Sequence, residues 1–110
     1  MTLLSMLINK EKVRNENMIF NYSEDLKKLP KGSVKTKKIG NRNYFYLAYR
    51  DGNKVVNKYL GKNENAIEII KDQLERRKQI EKLLKDLMKE KEQIKRIEES
   101  LWFYTMEVML

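Results

Sequence analysis

The sequence predicts an α+β chain: a three-stranded antiparallel β-meander followed by one long, partly coiled-coil-like α-helix. Three observations predict it. Asp51-Gly52 separates two runs rich in β-branched and aromatic residues, which is a hairpin signature. Gly40-Asn41 joins the first two runs with similar turn chemistry. Beyond Asn63 no Gly or Pro interrupts the chain to its end.

Residues 1–25 are expected to be a loosely ordered N-terminal leader, mixed over residues 1–22 with either a short helix or an edge strand in it, and with Met18 as an alternative start. Met1 to Ile8 is apolar, but too short to cross a bilayer and without the basic lead-in and cleavage site of a signal peptide. Ser23 followed by Glu24 and Asp25 reads as a capped single turn, which Pro30 ends by biasing Leu29 toward extended geometry. Residues 26–62 form the sheet module, with strands over Ser33 to Ile39, Asn43 to Arg50 and Asn53 to Leu60. Residues 63–100 form the helix, capped by Asn63 or Asn65 and laced by pairs such as Glu81–Lys85 and Glu92–Arg96. The apolar segment 101–110 either continues the helix or turns back as a strand.

Charge is concentrated in the sheet module. Between Leu26 and Lys62 there are eleven Lys/Arg against the single acid Asp51, whereas each flanking segment is within one charge of neutral and the chain totals +8. A local cationic field attracts polyanions and accelerates their encounter. Cysteine and histidine are both absent. That removes disulfides, thiolate metal sites and most general acid–base chemistry. With Asp51 assigned to a turn, no Gly-rich phosphate loop and no carboxylate pair in an apolar pocket, the chain reads as a non-enzyme without cofactor or metal. Its expected location is the cytoplasm, with no membrane partner.

A two-residue loop at Asp51-Gly52 places Arg50 opposite Asn53, Tyr49 opposite Lys54, Leu47 opposite Val56 and Phe45 opposite Lys58. One face then carries Val34, Thr36, Phe45, Leu47, Tyr49, Val56 and Leu60, for burial against Ala66, Ile67, Ile70 and Leu74. The other face carries Lys35, Lys37, Tyr44, Tyr46, Arg50, Asn53, Asn57 and Tyr59, with Ala48 and Val55 between them. Cations, rings and carboxamides are the groups that neutralise phosphate, stack on bases and read base edges. The candidate nucleic-acid-binding residues are Lys35, Lys37, Arg42, Tyr44, Tyr46, Arg50, Asn53, Lys54, Asn57 and Lys58, with DNA ahead of RNA as partner. The plain alternative is a solvated face, since Tyr favours strands and Lys blunts sheet edges.

On the helix, Ile67, Ile70 and Leu74 form one stripe, and Ile80, Leu83, Leu87, Ile94, Ile97 and Leu101 form a second with Glu90 as its one flaw. The second stripe is the candidate helix-association surface, for a homodimer or for fold-back onto the N-terminal segment or the chain's end. Arg76, Arg77 and Lys78 at the junction are either solvated or in contact with phosphate.

The stretches Leu29-Pro30-Lys31-Gly32-Ser33-Val34, Tyr44-Phe45-Tyr46-Leu47, Tyr49-Arg50 and Lys58-Tyr59-Leu60-Gly61-Lys62 resemble a signature of small prokaryotic proteins and of N-terminal segments of some transposase-like proteins. The strand–strand–strand–helix order is also similar to the arm-type DNA-binding domain of tyrosine recombinases. These resemblances imply a mobile-element or phage setting and a sheet that meets DNA. Two further readings stay open: a phage-borne inhibitor or adaptor that docks on a protein of a host nuclease system, and a structural coiled-coil protein.

Overall fold

Thr2 starts the first helix. In the computed structural model, which describes residues 2–109, its hydroxyl accepts a hydrogen bond from the Ser5 amide at 3.1 Å. That satisfies one of the donors a helix start leaves free. Helix α1 runs Leu3–Lys27, strands β1 Ser33–Ile39, β2 Arg42–Asp51 and β3 Lys54–Gly61 follow, and α2 occupies Glu64–Met109. The expected leader is therefore helical from Leu3, and Ser23 lies inside that helix rather than capping a turn of its own. The apolar segment after Ser100 continues α2 to Met109, while Met1 and Leu110 lie outside the described residues. The chain divides into two compact units, Met1–Asp25 with Ile80–Leu110, and Leu26–Gln79.

The unit Leu26–Gln79 holds the sheet, in the order β1-β2-β3. Gly40-Asn41 is a two-residue turn as expected, with Val34 opposite Leu47 and Thr36 opposite Phe45. The second hairpin differs. Asp51 pairs with Lys54, so the turn residues are Gly52 and Asn53. Gly52 has φ +63° and among the described residues no non-glycine has positive φ, which is the pattern of a type II′ turn with Gly first, not the type I′ that Asp-Gly suggests. Each residue of β3 is thereby displaced by two relative to expectation: Tyr49 faces Val56, Leu47 faces Lys58 and Arg50 faces Val55. An even displacement leaves every strand side chain on its expected face, whereas a slip of one would have exchanged the faces. A bulge then sets Phe45 opposite Gly61 and Tyr46 opposite Tyr59.

Phe45, Leu47, Ile67 and Leu74 are buried and make the core of this unit. Thr36 and Ala66, expected among them, are exposed. The helix start is fixed by Asn63, whose side-chain oxygen accepts from the amides of Asn65 and Ala66 at 3.0 and 3.4 Å. Gly32 has φ +109°, and a Cβ there would overlap the Ala48 carbonyl oxygen and lie 2.9 Å from Tyr49 Cβ, so only glycine lets the chain enter β1 this closely. Arg77 donates from Nη1 to the carbonyl oxygens of Leu26 and Leu29 at 2.9 and 3.0 Å. Leu26 is in the last turn of α1, where its carbonyl also accepts from the Leu29 amide at 3.3 Å, and Leu29 lies just beyond the helix. Arg77 is thus part of the fold, not a free phosphate ligand.

The other unit is an antiparallel helical hairpin. Along α1 the residues turned away from solvent include Ile8, Lys12, Asn15, Ile19 and Tyr22, at alternating four- and three-residue spacing. Lys12 and Asn15 in this series are polar, which hid the stripe from a reading of hydropathy. Each polar side chain has a counterpart on α2. Lys12 Nζ lies 3.3 Å from Glu98 Oε2. Asn15, only 1% exposed, donates from Nδ2 to the Leu87 carbonyl oxygen at 2.9 Å and to Glu90 Oε1 at 3.2 Å. Arg14 Nη2 donates to the same Glu90 oxygen at 2.7 Å. Glu11 first, then Glu90, raises the Arg14 pKa above its ordinary value by hydrogen bonding and charge.

Glu90, the flaw in the apolar series, is therefore the half-buried acceptor of a polar layer centred on the buried Asn15. Ile80, Leu87 and Ile94 are buried in the single chain. Leu83 and Leu101 are half-buried. Ile97 points outward and Glu98 takes its place toward α1. As a surface waiting for a second copy, the stripe is corrected: it is the seam of an intramolecular hairpin, the fold-back alternative.

Candidate nucleic-acid interface

The pleat decides which of the candidate residues meet. Lys35 pairs with Tyr46 and Lys37 with Tyr44 across β1 and β2. Tyr59 pairs with Tyr46, Asn57 with Ala48 and Val55 with Arg50 across β2 and β3. Directly paired residues share a face, and Phe45 and Leu47 are buried on the other one. Lys35, Lys37, Arg50 and Asn57 are exposed, while Tyr44, Tyr46 and Ala48 are half-buried by their neighbours. Arg42 belongs to the same face at the far end of β2, where it pairs with Ile39.

At the centre, Lys35, Lys37, Tyr46 and Asn57 surround one shallow depression of about 290 Å³. The Tyr46 and Tyr59 rings lie beside it with centroids 5.4 Å apart and planes inclined by 57°. Tyr44 and Tyr59 are 6.4 Å apart at 39°. These tilted pairs are self-stabilising and hold the rings in fixed orientations. They are too close and too inclined to admit a base between them. A base must therefore stack from outside, and Tyr59, 51% exposed, offers the most ring surface. The ammonium of Lys62 sits 5.1 Å from the Tyr44 ring centroid, a cation–π contact that covers one side of that ring.

Three candidates fall elsewhere. Lys54 pairs with Asp51 and Lys58 with Leu47, so both lie on the face opposite the tyrosines. Asn53 occupies the turn, not the strand face, because the hairpin closes one residue later than Asp51-Gly52 implied. Two residues join the site instead. Tyr59 was legible on this face from alternation alone but was not among the candidate contacts. Lys62 lies beyond the strand end, and only the bulge at Phe45/Tyr46 brings the close of β3 beside Tyr44.

The arrangement provides fixed rings, mobile cations and one carboxamide around an open depression. It can neutralise phosphate, stack on a base and hydrogen-bond a base edge. Among the described residues no group of three or more His, Cys, Asp or Glu is placed to hold a metal ion, and no helix is long and apolar enough to cross a membrane.

Residues 9–69, more than half of the chain, match the family described as Domain of unknown function (DUF6788), and the chain belongs to that family. The matched stretch takes in α1 from Asn9, all three strands and the first turns of α2. No curated protein and no solved structure matches the chain.

Proposed function

We propose that this member of the DUF6788 family is a non-enzymatic nucleic-acid-binding protein that meets DNA, ahead of RNA, through the tyrosine face of its sheet. One observation carries the reading: Lys35, Lys37, Tyr46 and Asn57 converge on a single open depression beside Tyr59. That depression lies in the segment where eleven cations face one acid. Diffuse cationic charge supplies non-specific affinity and steering, and the fixed rings supply a surface for stacking. Lys35 and Lys37 anchor phosphates, Tyr46 and Tyr59 stack, Asn57 reaches a base edge, and Arg42 and Arg50 extend the cationic track along β2. The resemblance of the Pro30–Gly61 stretches to mobile-element proteins makes such an element, or a phage, the setting in which an accessory DNA-binding protein would act.

The test is a fluorescence-anisotropy titration of a labelled duplex and of its single strand at low salt. Tyr46→Ala combined with Arg50→Ala should weaken binding far more than Arg76→Ala combined with Lys78→Ala. Arg77 is excluded from the control because it holds Leu26 and Leu29. Absence of binding at low salt, or equal losses in the two double variants, ends the proposal.

A further inference from the structure

The two helix ends that lie together in the hairpin unit, the start of α1 and the end of α2, are apolar and uncovered. Leu3, Leu4 and Leu7 on α1 and Trp102, Phe103 and Tyr104 on α2 are each between 51 and 74% exposed. Trp102 walls a groove of about 480 Å³ together with Ser5, Ile8 and Leu101, so the two helix ends form one surface. At about 100° per residue, consecutive aromatic positions 102 to 104 point to different sides of the helix. A helix end that is apolar on several sides needs enclosure, not a single flat neighbour.

We infer that this end of the hairpin is a self-association surface whose occupant is the same end of a second copy of this chain. Area is the first argument. The six residues expose on the order of 700 Å² in total, spread over several sides of the two helix ends, which is close to the roughly 800 Å² that each partner contributes to a standard interface. Two copies meeting here supply the two sides of one such interface, and four helix ends enclose one another where two cannot.

Charge is the second argument. No charged residue occurs from Thr2 to Asn9 or from Ser100 to Met106, so two copies can meet through these segments with the acids of the groove, Glu98 and Glu99, left at the rim of the contact despite the chain's net +8. A lipid surface fits less well. The charged residues bordering the patch in sequence are Lys10, Lys12, Lys95 and Arg96 against Glu11, Glu98, Glu99 and Glu107, and the acids Glu98 and Glu99 line the Trp102 groove. Anionic headgroups call for a cationic collar, which this balance does not provide. The surface is separate from the seam of Ile80, Leu87 and Ile94, which α1 already covers, and the inference does not rest on the nucleic-acid reading.

Trp102 is the chain's one tryptophan and reports on this surface alone. Light scattering and Trp102 emission are to be measured together through a dilution series of nucleic-acid-free protein. The expected result is a mass twice the 13.3 kDa of the chain at high concentration. It should fall to the single-chain value on dilution as the emission moves red. Leu4→Glu with Phe103→Glu, both at exposed positions, should give the single-chain mass throughout, with unchanged far-ultraviolet circular dichroism. Should that variant lose helix, the concentration dependence of the wild-type emission decides alone. A single-chain mass at every wild-type concentration overturns the inference. So does a dimer that survives both glutamates, or an emission shift seen only with lipid vesicles or with another protein added.

Discussion

Replacing Asn15 probes the helical hairpin most sharply, because that side chain is the one buried polar residue among those described. Asn15→Ala deletes the donor to the Leu87 carbonyl at 2.9 Å and the donor to the Glu90 carboxylate at 3.2 Å. A neutral hydrogen bond contributes about 1 kcal/mol and one to a charged group about 1.5–3 kcal/mol, so the loss is about 3 kcal/mol before any cavity effect. Neither acceptor is stranded. The Leu87 carbonyl keeps its place in the helical ladder, and Glu90 keeps Arg14 at 2.7 Å. Asn15→Leu should therefore fall within about 1 kcal/mol of wild type, since it refills the volume with apolar atoms.

Asn15→Asp should be the worst of the three at neutral pH, because it sets a second carboxylate against Glu90. Folding would raise the pKa of that introduced carboxyl above its unfolded value. Its penalty is thus full above the folded pKa and is relieved as the pH falls through it. Urea unfolding followed by far-ultraviolet circular dichroism, with Asn17→Ala as an exposed control, measures all four. If Asn15→Ala costs no more than Asn17→Ala, or if Asn15→Leu costs as much as Asn15→Ala, the buried layer does not act as described.

Other outcomes are specific to single residues. Gly32→Ala should destabilise the sheet unit by about 2 kcal/mol or more, through positive φ and overlap with Ala48, whereas Gly40→Ala, with open space around it, should cost about 1 kcal/mol; denaturant midpoints compare them. Arg77→Ala should lower stability by about 1–3 kcal/mol while Arg76→Ala stays within about 0.5 kcal/mol, because only Arg77 is shown holding the Leu26 and Leu29 carbonyls; the same unfolding series reads both. Tyr59→Ala should weaken binding of single-stranded DNA by about 1–3 kcal/mol, a stacking loss visible as a shift in the anisotropy midpoint.

Local chemistry made the sheet legible. Glycines at 40 and 52, alternation along β2 and the cap at Asn63 each fix structure within a few residues, and each reads directly from the chain. The choice between turn types did not, because Asp51-Gly52 and Gly52-Asn53 both satisfy a two-residue hairpin. The faces survived only because the two alternatives differ by an even number of residues. Helix α1 escaped for a different reason. Its inward positions include Lys12 and Asn15, whose polarity is compensated by Glu98 and Glu90 more than seventy residues away, and no local pattern encodes such pairing. The same distance explains Glu90, which looked like an error in an apolar seam until Asn15 and Arg14 were placed beside it. At the candidate site, composition and alternation placed Lys35, Lys37, Tyr46 and Asn57 on one face, whereas Lys54 and Lys58 were assigned by charge alone, against the pleat. Lys62 required the bulge, which depends on how β2 and β3 pair.

The sheet face is tested most directly by two charge-matched double variants. Lys35→Ala with Lys37→Ala and Lys54→Ala with Lys58→Ala each remove two positive charges from the same small sheet, but from opposite faces. Binding to a short duplex, measured against salt concentration, gives a slope that counts phosphate contacts. The account predicts that the first variant loses about two units of that slope together with most of its affinity, while the second stays close to wild type. Equal losses in both, or a wild-type affinity that does not change with salt, would contradict it.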